Sequence, residues 1–167
     1  MEKQVAVAAL AGLFASPVFA ACGDPVEALS RYTGAHMQAD AEAVYNLTAS
    51  NVRGEKFDFI ADYVDAFKSS DRYQDYFASH FTYDVSVESV SEDIAVLAVD
   101  SEYPDTRKIA LEMAEENRYL RFDNPSDWDQ LVDYVEENGV DTKQFSDKFY
   151  MTCESDDWRV LRPRLLK

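Results

Sequence analysis

The sequence predicts an α+β fold: N-terminal helices packed on an antiparallel sheet of about four strands, arranged as two hairpins with a helical insertion between them. Three observations predict it. Apolar residues recur at helical spacing through the first half, from Val26 to Phe77. The period drops to two at Phe81, Tyr83, Val85 and Val87, and again at Phe149, Met151 and Cys153. Helices gathered ahead of hairpins, instead of alternating with single strands, argue against a βαβ repeat.

The first twenty residues stand apart from that fold. Met1 to Gln4 is a short polar start with one Lys, and an unbroken apolar and small-residue run follows from Val5 to Ala15. Ser16-Pro17 breaks any helix there, and Val18-Phe19-Ala20 offers suitable residues at the two positions a signal peptidase reads. The run is shorter than the roughly 20 residues a membrane span needs. It also lacks the polar stripe of a core helix. We therefore expect a signal peptide over 1–20 and a periplasmic or secreted mature protein. The next apolar run, Ile94 to Val99, is far too short to cross a bilayer, so no transmembrane span is expected in the mature chain.

Two fates are open to Cys22. It and Cys153 are the only cysteines, and outside the cytoplasm such a pair can form a disulfide. Phe19-Ala20-Ala21-Cys22 also resembles a lipobox, with Phe where Leu is usual. In that case the leader is 1–21 and an acylated Cys22 anchors the protein in the cell envelope.

Residues 21–167 read as one domain. Asp24-Pro25-Val26-Glu27 is a helix start with a capping acid and Pro at the first helical position, followed by Leu29, Tyr32 and His36 on one stripe. Asp40 begins a second helix through Val44, Tyr45 and Leu47, and 51–54 reads as a break. Phe59, Ile60, Tyr63, Val64 and Phe67 form the broad stripe of a third helix, and Tyr73, Tyr76, Phe77 and His80 that of a fourth. The first hairpin turns at Ser91-Glu92-Asp93. The insertion, about 105–141, holds a helix from Pro104-Asp105 to about Arg121 and another from Asn124-Pro125 to a stop at Gly139. The final hairpin turns at Glu154-Ser155-Asp156-Asp157 and returns through Trp158-Arg159-Val160, leaving a basic tail at Arg164 to Lys167.

The opening Asp24-Pro25-Val26-Glu27-Ala28-Leu29, continuing through Asp40-Ala41-Glu42-Ala43-Val44-Tyr45-Asn46-Leu47, together with the closing acidic turn and Trp158-Arg159-Val160, resembles the nuclear transport factor 2-like superfamily. More narrowly, the chain resembles its small exported and lipoprotein members. The resemblance implies a cone in which a curved sheet wraps the first helix. These motifs encode packing, and the fold hosts isomerases, dehydratases, transport factors and plain binding domains, so it does not choose a function.

Sixteen Lys and Arg against 32 Asp and Glu give a net charge of −16 and a pI near 4.3. So negative a field repels phosphate backbones, which makes nucleic acid an unsuitable partner, and it suits a basic protein. Two histidines and two separated cysteines offer no zinc spacing, and no acidic cluster follows the calcium-loop pattern. There is no Gly-x-Ser-x-Gly elbow and no Gly-rich phosphate loop, so no catalytic residue, metal or cofactor is assigned. The candidates for lining an apolar pocket at the mouth of the cone are Tyr32, His36, Phe59, Tyr63, Phe67 and Tyr83. At helical and strand spacing such residues are more often simply core. The expected function is a non-catalytic periplasmic binding or accessory domain for a small apolar ligand or a partner protein. A periplasmic immunity protein against a cationic toxin is the alternative, and a small enzyme of the ketosteroid-isomerase-like kind, using an inward Tyr or carboxylate, the second.

Overall fold

The computed structural model of the chain describes residues 22–66 and 69–161. The expected leader, Phe67 and the basic tail lie outside them.

Asp24 caps α1 (Pro25–Met37), its carboxylate accepting from the Val26 amide at 2.8 Å, and Pro25 supplies a preset φ in the first turn. Asp40 caps α2 (Ala41–Leu47) in the same way through the Ala43 amide at 2.9 Å. The expected break at 51–54 is instead a single helical turn, α3 (Ser50–Arg53), and the chain breaks at Gly54, where φ is +65°. α4 (Lys56–Ala66) and α5 (Asp71–His80) follow, the latter capped by the Ser70 hydroxyl.

β1 (Thr82–Val90) and β2 (Ile94–Pro104) pair around the turn at 91–93. Their register shifts between Val87 and Ser89, and this bulge lets Val90, five residues beyond Val85, pack against the same core. α6 (Thr106–Glu115) stops well short of Arg121, because Asn117 takes a left-handed φ of +65°. α7 (Pro125–Asn138) runs from its Asn124 cap to Gly139 at φ +89°, whose amide closes on the Val135 carbonyl. β3 (Thr142–Glu154) is longer than the Phe149–Cys153 alternation indicates. Its first half is largely exposed and polar except for Phe145, and it is held extended by an unbroken ladder to β2 from Pro104–Thr142 to Ile94–Thr152. β4 (Asp157–Val160) returns through Ser155 and Asp156, both at positive φ, the turn geometry that matches strand twist.

The sheet order is β1-β2-β3-β4, antiparallel throughout. The helical insertion leaves at Pro104 and returns at Thr142, and those two residues are partners in the ladder. It therefore replaces a hairpin turn without altering strand order. The principal core lies between α1 and the sheet and includes Leu29, Tyr32, Leu97, Phe149, Met151 and Trp158. A second core joins Ile109, Met113, Leu131, Tyr134 and Val135 with Tyr73 and Tyr76 of α5, so the insertion packs on that helix. Arg72 of α5 reaches Asp133 at 2.6 Å and Glu136 at 2.7 Å across the seam.

Cys22 and Cys153 form a disulfide with Cα atoms 5.8 Å apart, tying the entry of α1 to the end of β3. Beside it the fully buried Trp158 donates its indole N–H to the Gly23 carbonyl at 2.9 Å. No helix among the described residues is long and apolar enough to cross a membrane.

Candidate functional site

Helical spacing puts Leu29, Tyr32 and His36 on one face of α1, and the same spacing puts Phe59 and Tyr63 one turn apart on α4. Folding turns these faces toward one another. The Tyr32 and His36 rings meet edge-on with centroids 4.6 Å apart. His36 Nδ1 and the Tyr63 hydroxyl share a hydrogen bond of 3.1 Å. Phe59 stacks on Tyr63 at 6.3 Å and meets the edge of Tyr45 at 5.3 Å.

A cavity of about 520 Å³ opens above this aromatic group. Tyr32, His36, Phe59 and Tyr63 border it together with Val44 and Val52, and Arg53, Gly54, Glu55, Asp58 and Asp62 complete its lining. The volume falls within the range of small-molecule sites. Tyr32 is fully buried and His36 and Tyr63 are each 8% exposed, whereas Glu55, Asp58 and Asp62 are exposed. The result is an apolar floor beneath an acidic rim. Arg53 belongs to the wall and not to the opening: its guanidinium lies 4.5 Å over the Tyr45 ring and donates to the Tyr45 carbonyl at 3.4 Å. Among the described residues, the side chains of Glu55, Asp58 and Asp62 have no hydrogen-bond or ion-pair partner.

Burial fixes the protonation of the floor. It pushes the Tyr32 phenol well above its ordinary range, with the neighbouring Tyr63 adding to the effect and Thr48 opposing it. It does the same to Tyr63, where the Asp40 carboxylate adds to the rise. It lowers His36 to about 4, because an imidazolium there would lose its water. At neutral pH the floor therefore presents two protonated phenols and an uncharged imidazole.

Of the residues singled out in the sequence, the structure brings Tyr32, His36, Phe59 and Tyr63 to one cavity. Tyr83 lies apart on β1, half-buried against the principal core and 5.6 Å from the Phe81 ring. Phe67 lies outside the described residues. His80 ends α5, exposed, with Nδ1 2.9 Å from the Tyr76 carbonyl. It borders a separate groove of about 540 Å³ between α5 and α7. The rim was not anticipated. Glu55, Asp58 and Asp62 follow i, i+3, i+7 spacing in register with Phe59 and Tyr63, and that spacing was the available signal. Among the described residues no three His, Cys, Asp or Glu side chains are grouped so as to hold a metal ion.

No protein-family model matches the chain, and no curated protein matches it in sequence. Among solved structures, it is similar to a ketosteroid isomerase-like protein from Erwinia carotovora atroseptica. The identity is 15%, the match covers 82% of this chain and 88% of that one, and the TM-score is 0.45. That likeness bears on neither the site nor its chemistry.

Proposed function

We propose that this chain is an exported, non-catalytic binding domain whose ligand occupies the cavity between α1 and α4. The observation that carries this reading is the convergence of Tyr32, His36, Phe59 and Tyr63 on one cavity of ligand size. The protonation of the floor supports binding over catalysis. A general base works best with a pKa near the operating pH, and burial holds His36 far below neutrality. The two phenols are held in their protonated, weakly nucleophilic form. What remains are π faces and hydrogen-bonding groups.

Titrating the protein with a set of neutral and charged small aromatic and aliphatic compounds, read by side-chain NMR, tests this. Binders should shift Phe59, Tyr63 and the His36 imidazole and leave Tyr83 unmoved. Compounds that perturb only the α5–α7 groove would move the site elsewhere.

Export is supported by the disulfide, a bond that persists in oxidising compartments. Intact mass of the protein from soluble and membrane fractions, with and without reductant before thiol alkylation, checks it. We expect a soluble species beginning at Ala21 with both thiols blocked until reduction. A membrane species beginning at an acylated Cys22, with Cys153 free, would replace this with an envelope-anchored lipoprotein.

A further inference from the structure

The cavity's two layers ask for different things. An aromatic and aliphatic floor favours an apolar surface, while a rim of three carboxylates, with the Arg53 guanidinium held on Tyr45 in the wall, favours positive charge. A neutral ligand would satisfy the floor and shield the rim carboxylates from water without giving them a counter-ion, which is unfavourable. An anion would be repelled by the rim and by the protein's net charge of −16. A bare metal ion finds no convergent ligand set among the described residues. A cation with an apolar skin satisfies both layers, since its charge meets the carboxylates and the half-buried Phe59 ring, which borders the cavity and stacks on Tyr63, attracts it as well.

Resting on the reading of this cavity as the ligand site, we propose that its ligand class is a small organic cation, an alkylammonium or quaternary ammonium compound, with Asp58 and Asp62 as counter-ions and Phe59 as the aromatic face. The carboxylates are free to serve, because their side chains have no other partner among the described residues. Their exposure on α4 means that neutralising them leaves the core intact.

The probes are choline and its uncharged isostere 3,3-dimethylbutan-1-ol, which share shape and differ in charge. They would be titrated calorimetrically, and by side-chain NMR, into the oxidised protein produced from the full chain. Choline should bind about tenfold more tightly than the alcohol, and added salt should weaken choline alone. Asp58→Asn and Asp62→Asn should each weaken choline by about two- to fivefold and leave the alcohol unaffected. Phe59→Leu, which keeps an apolar side chain and removes the π face, should weaken choline in preference to the alcohol. Glu92→Gln in the distant β1–β2 turn is the matched control. If the alcohol shifts Phe59 and Tyr63 and binds as well as choline, the cation is overturned and the cavity remains a ligand site. If choline binds but none of the three variants weakens it, it binds elsewhere and the proposal fails. If neither probe perturbs the cavity while other neutral compounds do, the cation class alone falls. If nothing tested enters it, the reading of the site falls as well.

Discussion

Replacing Cys22 and Cys153 together with alanine will destabilise the fold by about 4–5 kcal/mol. The bond closes a loop of 131 residues, almost the whole described chain. In the chain-entropy model the cost of opening such a loop falls on the unfolded ensemble, which gains conformations that the crosslink had forbidden. Little is lost from the native state. The Cys153 amide remains bonded to the Asp93 carbonyl at 2.9 Å, and the Trp158 indole still holds the Gly23 carbonyl. The strand end and the helix entry are therefore positioned without the sulfur atoms. For a domain whose whole stability is about 5–15 kcal/mol, the loss is a large share. Urea unfolding followed by tryptophan fluorescence should show a much lower midpoint in the double variant, and the reduced wild type should match it. A change below about 1 kcal/mol would mean that the unfolded chain stays compact near its ends, so that the crosslink restrains little.

Where periodicity is clean and turn chemistry explicit, the sequence was sufficient to read the fold. Asp24-Pro25 and Asn124-Pro125 start helices, Gly139 stops one, and Ser155-Asp156 turns a hairpin, each for a local reason that the structure repeats. Elements defined by their neighbours were not legible. The first half of β3, Thr142 to Lys148, has no alternation to betray it, because Phe145 is its lone apolar residue among polar ones and its extension comes from β2. The early end of α6 depends on Asn117 entering the left-handed region, which composition alone does not require. Nor does periodicity reveal that the insertion forms a second core with α5.

The site was half legible for a similar reason. Apolar stripes identify residues that will be buried, so Tyr32, His36, Phe59 and Tyr63 could be named, but stripes do not say which buried residues border empty space. Tyr83 has the same credentials and lies instead on the sheet, beside Phe81. In the sequence the rim carboxylates look like any solvated helix face. They differ from such a face only because α1, α2 and the turn at Gly54 enclose the space they overlook, a tertiary fact. The Arg53 contact to Tyr45, which leaves the rim net acidic, is tertiary in the same sense.

Stability will fall steeply as pH drops from 6.5 toward 4, and His36 will carry about 3 kcal/mol of that fall. In the unfolded chain an imidazole titrates near 6.5; in the fold burial lowers His36 to about 4. Between those values the unfolded state binds a proton that the folded state refuses, so acid favours unfolding. Above 6.5 neither state is protonated and below 4 both are, so the His36 contribution is flat outside the window. Carboxylates titrate in the same range, and comparison with His36→Gln removes them, since they are common to both proteins. The stability difference between wild type and variant should be level above pH 6.5 and shift by about 3 kcal/mol against the wild type by pH 4. An NMR titration of His36 should find its folded midpoint near 4. A difference curve that stays level would mean that the folded imidazole keeps access to water or to a compensating charge. The same proton would put a positive charge on the floor of the cavity, against any cationic ligand. By linkage, such a ligand must lower the His36 midpoint further, and by the factor through which protonation weakens its binding.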